Sequence, residues 1–402
     1  SYSKHSFILH YFRKAFGLPM YNDRDAVTAY HFYSTLQRAE NVCLVYNTDQ
    51  EALGAKEKSR YITQLQFELP RVNKNVHFNS LIAGAELHAA SVSDEISIPS
   101  SPEIMELILA RGQKEKGFSP SLVNTFRECK LKFYLRYVAG LREEDEVDES
   151  VDQNTLGTII HKTLETLFIP FLNINLDASH LQTIKTKIAA TCKAEFKKLF
   201  KDEESEGGKN LLAINVAQRY ITRYIDQEIT RIEKLNQRGI STTVLELEKT
   251  LQTKFSVGEK TITFSGQADR IDQSGNMIHL ADYKTGLVED KDIKIKAWTD
   301  FFETDKLGKA FQLMMYAWLY LKSEDSSATV KPGIISFRKL KDGFLHLKTP
   351  SGDEITKGNL QEFEEILVAL TSEMVDGKTV FSQTENYKLC TYCEFNQICR
   401  RN

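Results

Sequence analysis

The chain has 402 residues, of which 41% are hydrophobic and 27% are charged, and its formal net charge is −3. This composition excludes a fibrous or intrinsically disordered protein and leaves room for two or three domains with their own cores. Because the chain has no overall excess of positive charge, any nucleic-acid site has to be a local basic groove. No apolar run reaches membrane-spanning length and no signal-peptide core follows the first residues, so we expect a cytoplasmic protein without membrane contact.

The first hundred residues predict a helix that feeds a sheet. Apolar residues recur at helical spacing between 26 and 38, and the run from Val42 to Tyr46 then predicts one buried strand. Segments 33–39 and 57–61 weakly resemble the last part of a superfamily-one helicase domain, although an ordinary α/β fragment explains them as well. The sequence lacks a G-x-x-x-x-G-K-[ST] loop and therefore cannot bind ATP in that way. Residues 1–98 are interpreted as the C-terminal fragment of a helicase-like domain, and the missing initial methionine suggests a longer parent protein.

Serines and prolines are frequent between residues 91 and 120, which predicts a linker that we place at 99–117, although positions 104–110 could hold a short helix. Ser119 as N-cap and Pro120 at the first helical position then predict a new helix. This helix opens a domain that we place at 118–402. The acidic stretch 143–149 is interpreted as a solvated loop, because like charges this dense repel one another.

The rest of the chain alternates between helical and strand patterns and therefore predicts an α/β domain. Helices are predicted at 156–168, 178–201, 211–238, 308–322 and 358–375, and strands at 244–256, 261–272, 277–284, 333–338 and 343–348.

Two of these strands, at 261–272 and 277–284, carry the strongest local signal for chemistry. Residues two apart on a strand share a face, so Asp282 and Lys284 point the same way, and the hairpin turn can bring Asp269 beside them. Two carboxylates and a lysine suit phosphodiester hydrolysis, since oxygen ligands hold Mg²⁺ or Mn²⁺ and the lysine can orient or help deprotonate a water. A lone Asp-x-Lys pair is more often a salt bridge on an exposed hairpin, so this pair alone decides nothing.

Two helical pairs add to this signal. Gly157 and His161 lie four residues apart and share a face, where the glycine allows close backbone approach and the imidazole could meet a metal. Gln312 and Tyr316 likewise share a face of the helix after the strands, where they could position DNA or the nucleophile. Taken alone, a helical histidine is usually not a ligand, and a Gln-Tyr pair is more often packing or a solvated face.

Four sequence features, taken in chain order, resemble the RecB-like nuclease family of the PD-(D/E)XK superfamily. They are the segment Gly157 to His161, Asp269, Asp282-Tyr283-Lys284 and the segment Gln312 to Tyr316. The resemblance covers about residues 118–402 and implies a restriction-endonuclease-like core, in which helices flank a mixed sheet. It implies a metal held by His161, Asp269, Asp282 and the Tyr283 carbonyl. It also makes Lys284 the catalytic lysine, assisted by Gln312 and Tyr316. The wider superfamily often has Glu where Asp282 stands, whereas Asp is common in the RecB-like branch.

The second constellation consists of four cysteines: Cys129, Cys390, Cys393 and Cys399. A four-cysteine site could hold zinc or an iron-sulfur cluster, and spacing does not choose between them. One upstream cysteine with a C-terminal triad around such a nuclease resembles the AddB-type components of bacterial helicase-nucleases, which implies a [4Fe-4S] cluster. Four buried thiols without metal are the alternative, but the C-terminal run is too polar for a core segment. Cys43 and Cys192 are interpreted as buried thiols, since one lies in an apolar strand and the other within a helix.

The sequence thus favours a deoxyribonuclease that depends on Mg²⁺ or Mn²⁺ and acts as an exonuclease on DNA ends. Its substrate would be single strands delivered by a helicase motor, in the parent chain or a partner, during double-strand break repair and recombination. A catalytically silent DNA-binding or scaffold module of the same assembly is the alternative, against which the complete set of Asp269, Asp282 and Lys284 argues. A third alternative, a zinc-stabilised interaction domain, would be colourless, whereas an iron-sulfur protein is brown.

Overall fold

The computed structural model describes residues 16, 21–46, 58–81, 95–142, 153–199, 208–323 and 327–401. The chain divides into two compact units, Ser1–Ala89 and Ala90–Asn402. The acidic stretch 143–149, predicted to be a solvated loop, lies outside the described residues. Within the described residues, every helix is too short or too polar to cross a membrane.

The described part of the first unit contains the helices α1 (Tyr21–Leu36) and α2 (Arg60–Val72). The two helices contact each other through aromatic rings, because Tyr61 stacks on Phe32 with ring centroids 5.4 Å apart. The Tyr33 hydroxyl also donates a hydrogen bond of 2.7 Å to Gln64. The helix predicted between 26 and 38 is therefore confirmed, with both ends shifted toward the N-terminus.

The strand predicted from Val42 to Tyr46 is wrong. These residues follow α1 as an irregular segment, in which the Val45 side chain is 88% exposed. Cys43 is exposed as well, so it is not the buried thiol that we expected. An apolar run becomes a strand only where a neighbouring strand accepts its backbone hydrogen bonds, and the described residues pair no strand with this segment.

The second unit holds the remaining elements of the described chain. In chain order these are β1 (Ser97–Pro99), α3 (Pro102–Gln113), α4 (Pro120–Glu128), α5 (Lys130–Phe133), α6 (Gln153–Phe168), α7 (Ala178–Leu199), α8 (Gly208–Gln237), β2 (Thr242–Val257), β3 (Lys260–Ser274), β4 (Met277–Lys284), α9 (Asp300–Glu303), α10 (Gly308–Ser323), β5 (Thr329–Ser336), β6 (Phe344–His346), α11 (Gln361–Val375), β7 (Val380–Ser382) and α12 (Asn396–Cys399).

Strands β2 to β6 form a five-stranded mixed sheet in which neighbours in sequence are neighbours in space. The pairs β2–β3, β3–β4 and β5–β6 are antiparallel, whereas β4 and β5 are parallel. A parallel pair needs a long crossover, and α10 provides it here. The predicted strands at 244–256, 261–272 and 277–284 are confirmed, as is the helix at 308–322. The strand predicted at 343–348 is confirmed only over β6.

Each face of this sheet is covered by helices and has its own hydrophobic core. On one face α6, α7 and α8 bury residues such as Ile160 and Ile225 against Tyr283 of β4. On the other face α4, α10 and α11 enclose Phe264 of β3 and Trp318. Ten of the sixteen residues of α10 are buried, as expected of a helix that is apolar on nearly all sides.

The segment 99–117, predicted to be a linker, instead contributes a helix to the core. Its serines and prolines start that helix, since the Ser101 side chain accepts a hydrogen bond from the Ile104 amide and Pro102 occupies the first turn. Ile108 on α3 is 2% exposed and belongs to the core that contains α10. Serine and proline are frequent in linkers, but here they form the N-cap and the first turn of a helix.

A pair of histidines lies on the sheet face that also carries Tyr283. The rings of His279 on β4 and His346 on β6 are 5.9 Å apart, and the Nδ1 atom of each is buried without a hydrogen-bond partner. Burial lowers the pKa of His279 to about 3, and the positive charge of Arg231 adds to the effect. The folded chain therefore keeps this imidazole neutral while the unfolded chain still binds a proton, over the pH range from about 6.5 down to about 3.

We therefore expect stability to fall with pH more steeply in the wild type than in His279→Gln. Between about pH 7.5 and about pH 5.5 the wild type should lose about 1 kcal/mol more of its free energy of unfolding, because only its unfolded state gains this proton. Denaturant unfolding at both pH values measures the difference. His77→Gln, at an exposed position of the first unit, is the control. Parallel pH profiles for wild type and His279→Gln would contradict the expectation.

Candidate active site

The hairpin of β3 and β4 brings the two predicted aspartates together. Arg270 lies opposite Ala281 in the antiparallel register, so Asp269 lies next to Asp282 across the strands. Asp282 and Lys284 share a face of β4, and the Lys284 ammonium is 2.8 Å from Asp282 Oδ2. The two carboxylates and the lysine therefore meet at one place, as the strand pattern predicts.

Helix α6 places His161 above this hairpin. Its Nδ1 lies 3.4 Å from Asp269 Oδ1, and its Nε2 lies 3.1 Å from the Tyr283 carbonyl oxygen. The Tyr283 amide donates to Asp269 Oδ2 at 2.5 Å, so the main chain of this residue is part of the site. A Cβ atom at Gly157 would meet Thr285 at an ordinary 3.7 Å, so the close approach that we predicted at this glycine is not required.

A third carboxylate, Glu248 on β2, joins the site without having been predicted. Its Oε1 lies 3.7 Å from His161 Nδ1, and the ligand atoms of His161, Glu248 and Asp269 all lie within 4.8 Å of one another. Glu248 has φ +47°, a left-handed conformation that is uncommon for residues other than glycine and occurs at functional sites. The side chain of Gln267 donates to Glu248 Oε2 at 2.7 Å. In the sequence, Glu248 is indistinguishable from the solvated positions of an alternating strand.

Helix α10 contributes the two polar residues that its sequence marked. Gln312 Nε2 lies 3.0 Å from Asp282 Oδ1 and 2.6 Å from the Tyr316 hydroxyl, and it donates to both. Asp282 is only 3% exposed, and its other oxygen, Oδ2, accepts no hydrogen bond of good geometry even though Lys284 lies within ion-pair distance. That oxygen has lone pairs free for a further positive partner.

The pKa values of Asp282 and His161 reflect an excess of negative charge in a buried site. Burial raises the pKa of Asp282 to about 6, and the neighbouring Asp269 adds to the rise while Lys284 opposes it. Burial lowers the pKa of His161, but hydrogen bonds with Asp269 and Glu248 outweigh it and raise the pKa to about 10. Three carboxylates thus share one lysine and one histidine, which is the electrostatic setting of a cation site.

A second site lies where the C-terminal residues meet α4 and α5. Cys129 caps the end of α4 and the start of α5, and its sulfur accepts from the Lys132 amide at 3.4 Å. Leu131, Leu135 and Phe395 pack beneath it as a small apolar cluster. One cavity is lined by all four predicted cysteines: Cys129, Cys390, Cys393 and Cys399.

The four thiols form no disulfide bonds, and the pKa of one of them, Cys399, depends in part on the other three. Burial raises the pKa of Cys399, and the other three thiols add to the rise while a hydrogen bond with Gln383 opposes it. In the described part of the chain, no three of these sulfurs form a group whose atoms all lie within 4.8 Å of one another. Cys192, by contrast, is buried among α6, α7 and α8, as predicted for a plain core thiol.

A mixed sheet between two helical layers, with Asp269, Asp282 and Lys284 converging on two adjacent strands, defines a nuclease core of the restriction-endonuclease type. Residues 117–400 match the family model described as the PD-(D/E)XK nuclease superfamily. The chain belongs to this superfamily, and the fold predicted from the motifs is confirmed.

The chain is also similar to curated proteins and to a solved structure. Over 268 residues the chain is 24% identical to the B component of the ATP-dependent helicase/deoxyribonuclease of Streptococcus agalactiae, in both the serotype III and the serotype Ia strain. The match covers 66% of this chain and 21% of each relative, so the chain spans about a fifth of their length. A crystal structure from Eubacterium rectale, provisionally assigned as an exonuclease, is 11% identical with a TM-score of 0.39, covering 74% of this chain and 92% of that one.

The close approach of Tyr316 to the backbone of β3 explains why a glycine, Gly266, stands there. A Cβ atom at Gly266 would lie 2.9 Å from Tyr316 Cε1 and 3.0 Å from Leu319 Cδ1, closer than van der Waals contact allows. The absence of a side chain at Gly266 therefore leaves room for the Tyr316 ring, whose hydroxyl accepts from Gln312.

We expect Gly266→Ala to displace the Tyr316 ring and to lower the free energy of unfolding by about 1–3 kcal/mol, since an added methyl group overpacks a closed core. Denaturant unfolding measures the loss, and near-ultraviolet circular dichroism reports the tyrosine environment. The matched control is Gly286→Ala, where an added Cβ meets no atom within 4 Å. Equal stability of the two variants would rule out the proposed contact.

Proposed function

We propose that the chain is a DNA nuclease that hydrolyses phosphodiester bonds with the help of Mg²⁺ or Mn²⁺. The observation that carries the proposal is the convergence of His161, Glu248 and Asp269 beside the Lys284–Asp282 pair. The superfamily of the chain and the names of its relatives support DNA as the substrate.

The residues present fit a divalent ion. Carboxylate and carbonyl oxygens are the ligands that Mg²⁺ and Mn²⁺ prefer, and an imidazole is compatible with Mn²⁺. Asp282 Oδ2 is buried, and its one charged partner is the Lys284 ammonium at 2.8 Å, which leaves lone pairs for a divalent ion. The ion would polarise the scissile phosphate and acidify a water. The residues that would hold it are His161, Asp269, Asp282, the Tyr283 carbonyl and, in addition to the predicted set, Glu248.

The remaining residues act on the water and on the ligands. The Lys284 side chain is 32% exposed, so its ammonium can reach a substrate while it neutralises part of the charge on Asp282. There it can orient the attacking water or take part in moving its proton. Gln312 and Tyr316 hold Asp282 Oδ1 in place from α10. Burial of Asp282 and Tyr316 keeps bulk water away from these contacts.

Substrate form and biological setting are proposed from the wider resemblance. We infer that the site acts as an exonuclease on single strands, which a helicase motor in the parent chain or a partner protein would deliver. Of the predicted fragment 1–98, the first unit, Ser1–Ala89, would then be helicase-like, and the nuclease domain predicted at 118–402 would lie within the second unit, which already includes Ser97 and Ile98. The helicase/deoxyribonuclease name of the relatives supports this arrangement and a role in double-strand break repair and recombination.

We expect Asp269→Ala, Asp282→Ala and Lys284→Ala each to abolish cleavage of labelled DNA in the presence of Mg²⁺ or Mn²⁺. Each removes a charge needed at the metal and the scissile phosphate. Gel assays on single- and double-stranded substrates measure the loss, and thermal melts check that the variants are folded.

Lys378→Ala, at an exposed lysine in the turn before β7, is the matched control and should cleave like the wild type. If all three site variants retain activity, the site assignment fails. A wild type that binds DNA but never cleaves it would instead support a silent scaffold module.

We also propose that Cys129, Cys390, Cys393 and Cys399 hold a [4Fe-4S] cluster. The four thiols line one cavity, which fits a single polythiolate group. Four thiolates on one zinc ion at about 2.3 Å lie about 3.8 Å from one another. A cubane binds each thiolate through a different iron and so spreads the sulfurs further. The resemblance to AddB-type components implies the cluster rather than zinc.

We expect Cys129→Ala and Cys390→Ala to lower the melting temperature and the iron content, and to reduce cleavage only through that instability. The cluster would join the start of the unit to its end, so its loss costs folding free energy directly. Iron and acid-labile sulfide per chain, together with thermal melts, measure both effects. Cys43→Ala, at an exposed thiol of the first unit, is the control. Stoichiometric zinc without sulfide would contradict the cluster.

A further inference from the structure

A buried charge network lies on the sheet face opposite Asp269 and Asp282. It consists of Arg270, Asp272, Glu228 and Arg231 with the Tyr224 hydroxyl. Arg270 is its centre and is 1% exposed. Its guanidinium donates to Asp272 Oδ1 at 2.6 Å, to the Tyr224 hydroxyl at 2.8 Å and to Glu228 Oε2 at 3.1 Å. The ring of Phe168, at the end of α6, lies 4.4 Å from the guanidinium carbon. One side chain thus connects β3, α8 and α6.

The network is balanced in charge. Arg231 binds both oxygens of Glu228 at 2.8 Å and lies 3.5 Å from Asp272 Oδ2, so two guanidinium groups face two carboxylates. Taking such a group out of water is costly, and well-packed apolar residues often give equal or greater stability. Stability alone therefore does not account for it. What a network of fixed donors supplies is a defined geometry for the elements that it joins.

Tyr283 connects this network to the candidate metal site. The Tyr224 hydroxyl accepts from Arg270 and lies 3.4 Å from the Tyr283 hydroxyl, and either hydroxyl can donate in that hydrogen bond. The main chain of Tyr283 is in the site itself, where its amide donates to Asp269 and its carbonyl lies 3.1 Å from His161 Nε2. A shift of the Tyr283 side chain on one face of the sheet therefore displaces polar atoms of the site on the other.

We propose that Arg270 is a positioning residue for the metal site and acts through Tyr224 and Tyr283. Arg270 also follows Asp269 directly on β3, while the contact with Phe168 fixes the helix that carries His161. The network thereby sets the separation of His161 and Asp269 without touching metal or substrate. This inference rests on the proposed metal site and adds the residues that hold it in shape.

The test compares two tyrosines on α8 that lie one turn apart. Tyr224→Phe removes a hydroxyl of the network, whereas Tyr220→Phe removes one that makes none of its hydrogen bonds, from a ring that also packs near Phe337. Arg270→Lys keeps the charge but loses the forked geometry. The Mn²⁺ dissociation constant, from electron paramagnetic resonance or calorimetry, is the main readout. Thermal melts with a chelator report the metal-free fold.

We expect Tyr224→Phe to raise the Mn²⁺ dissociation constant about tenfold, as is usual when a residue that orients a ligand is lost, and Arg270→Lys to raise it at least as much. Tyr220→Phe should leave the constant unchanged at a similar melting temperature. If Arg270→Lys does not fold, the two tyrosine variants still decide the question.

Two results would overturn the inference alone: an unchanged constant in Tyr224→Phe, or an equal loss in Tyr220→Phe. A wild-type chain that binds no Mn²⁺ would instead contradict the proposed metal site and the inference together.

Discussion

The alternation of side chains along β4 is the constraint on which the rest of the second unit depends. Three consecutive residues serve both faces of the sheet, since Asp282 and Lys284 point toward α10 while Tyr283 points into the core of α6, α7 and α8. Because β4 pairs with β3 on one side and β5 on the other, it cannot slide without breaking both ladders. A slip of one residue would exchange the two faces and take Asp282 and Lys284 out of the site.

Helix α10 completes this arrangement by placing polar groups where an apolar helix would normally exclude them. Tyr316 is one of the ten buried residues of this helix, and Gln312 lies between two others. A buried polar group without a partner costs free energy. Here the partners are one another and Asp282, so the polar cluster satisfies most of its own hydrogen bonds. The Oδ2 oxygen of Asp282 is the exception, since its partner is the Lys284 ammonium at ion-pair distance rather than a hydrogen bond of good geometry.

Features that depend on local pattern could be predicted from the sequence. The strand alternation around Asp282 and the spacing of Gln312 and Tyr316 follow from backbone periodicity, and the structure reproduces both. Glu248 could not be predicted. Its own backbone is in the left-handed conformation where its side chain approaches His161, and no sequence pattern encodes that conformation. The contact of Arg270 with Glu228 is equally hidden, since it joins residues far apart in sequence. The strand at Val42 failed because an apolar run does not specify its own pairing partner.

The pairing of β1 with β7 has a consequence for how the protein is made. Ser97 lies opposite Ser382, so the strand that begins the second unit is completed by one that almost ends it. On a ribosome, β1 leaves the exit tunnel long before β7 has been translated, and its exposed edge must wait while the whole nuclease sheet is synthesised. This unit can therefore complete its two-stranded sheet only once β7 has been translated, and a nascent chain stalled in α11 would hold β1 without its partner strand.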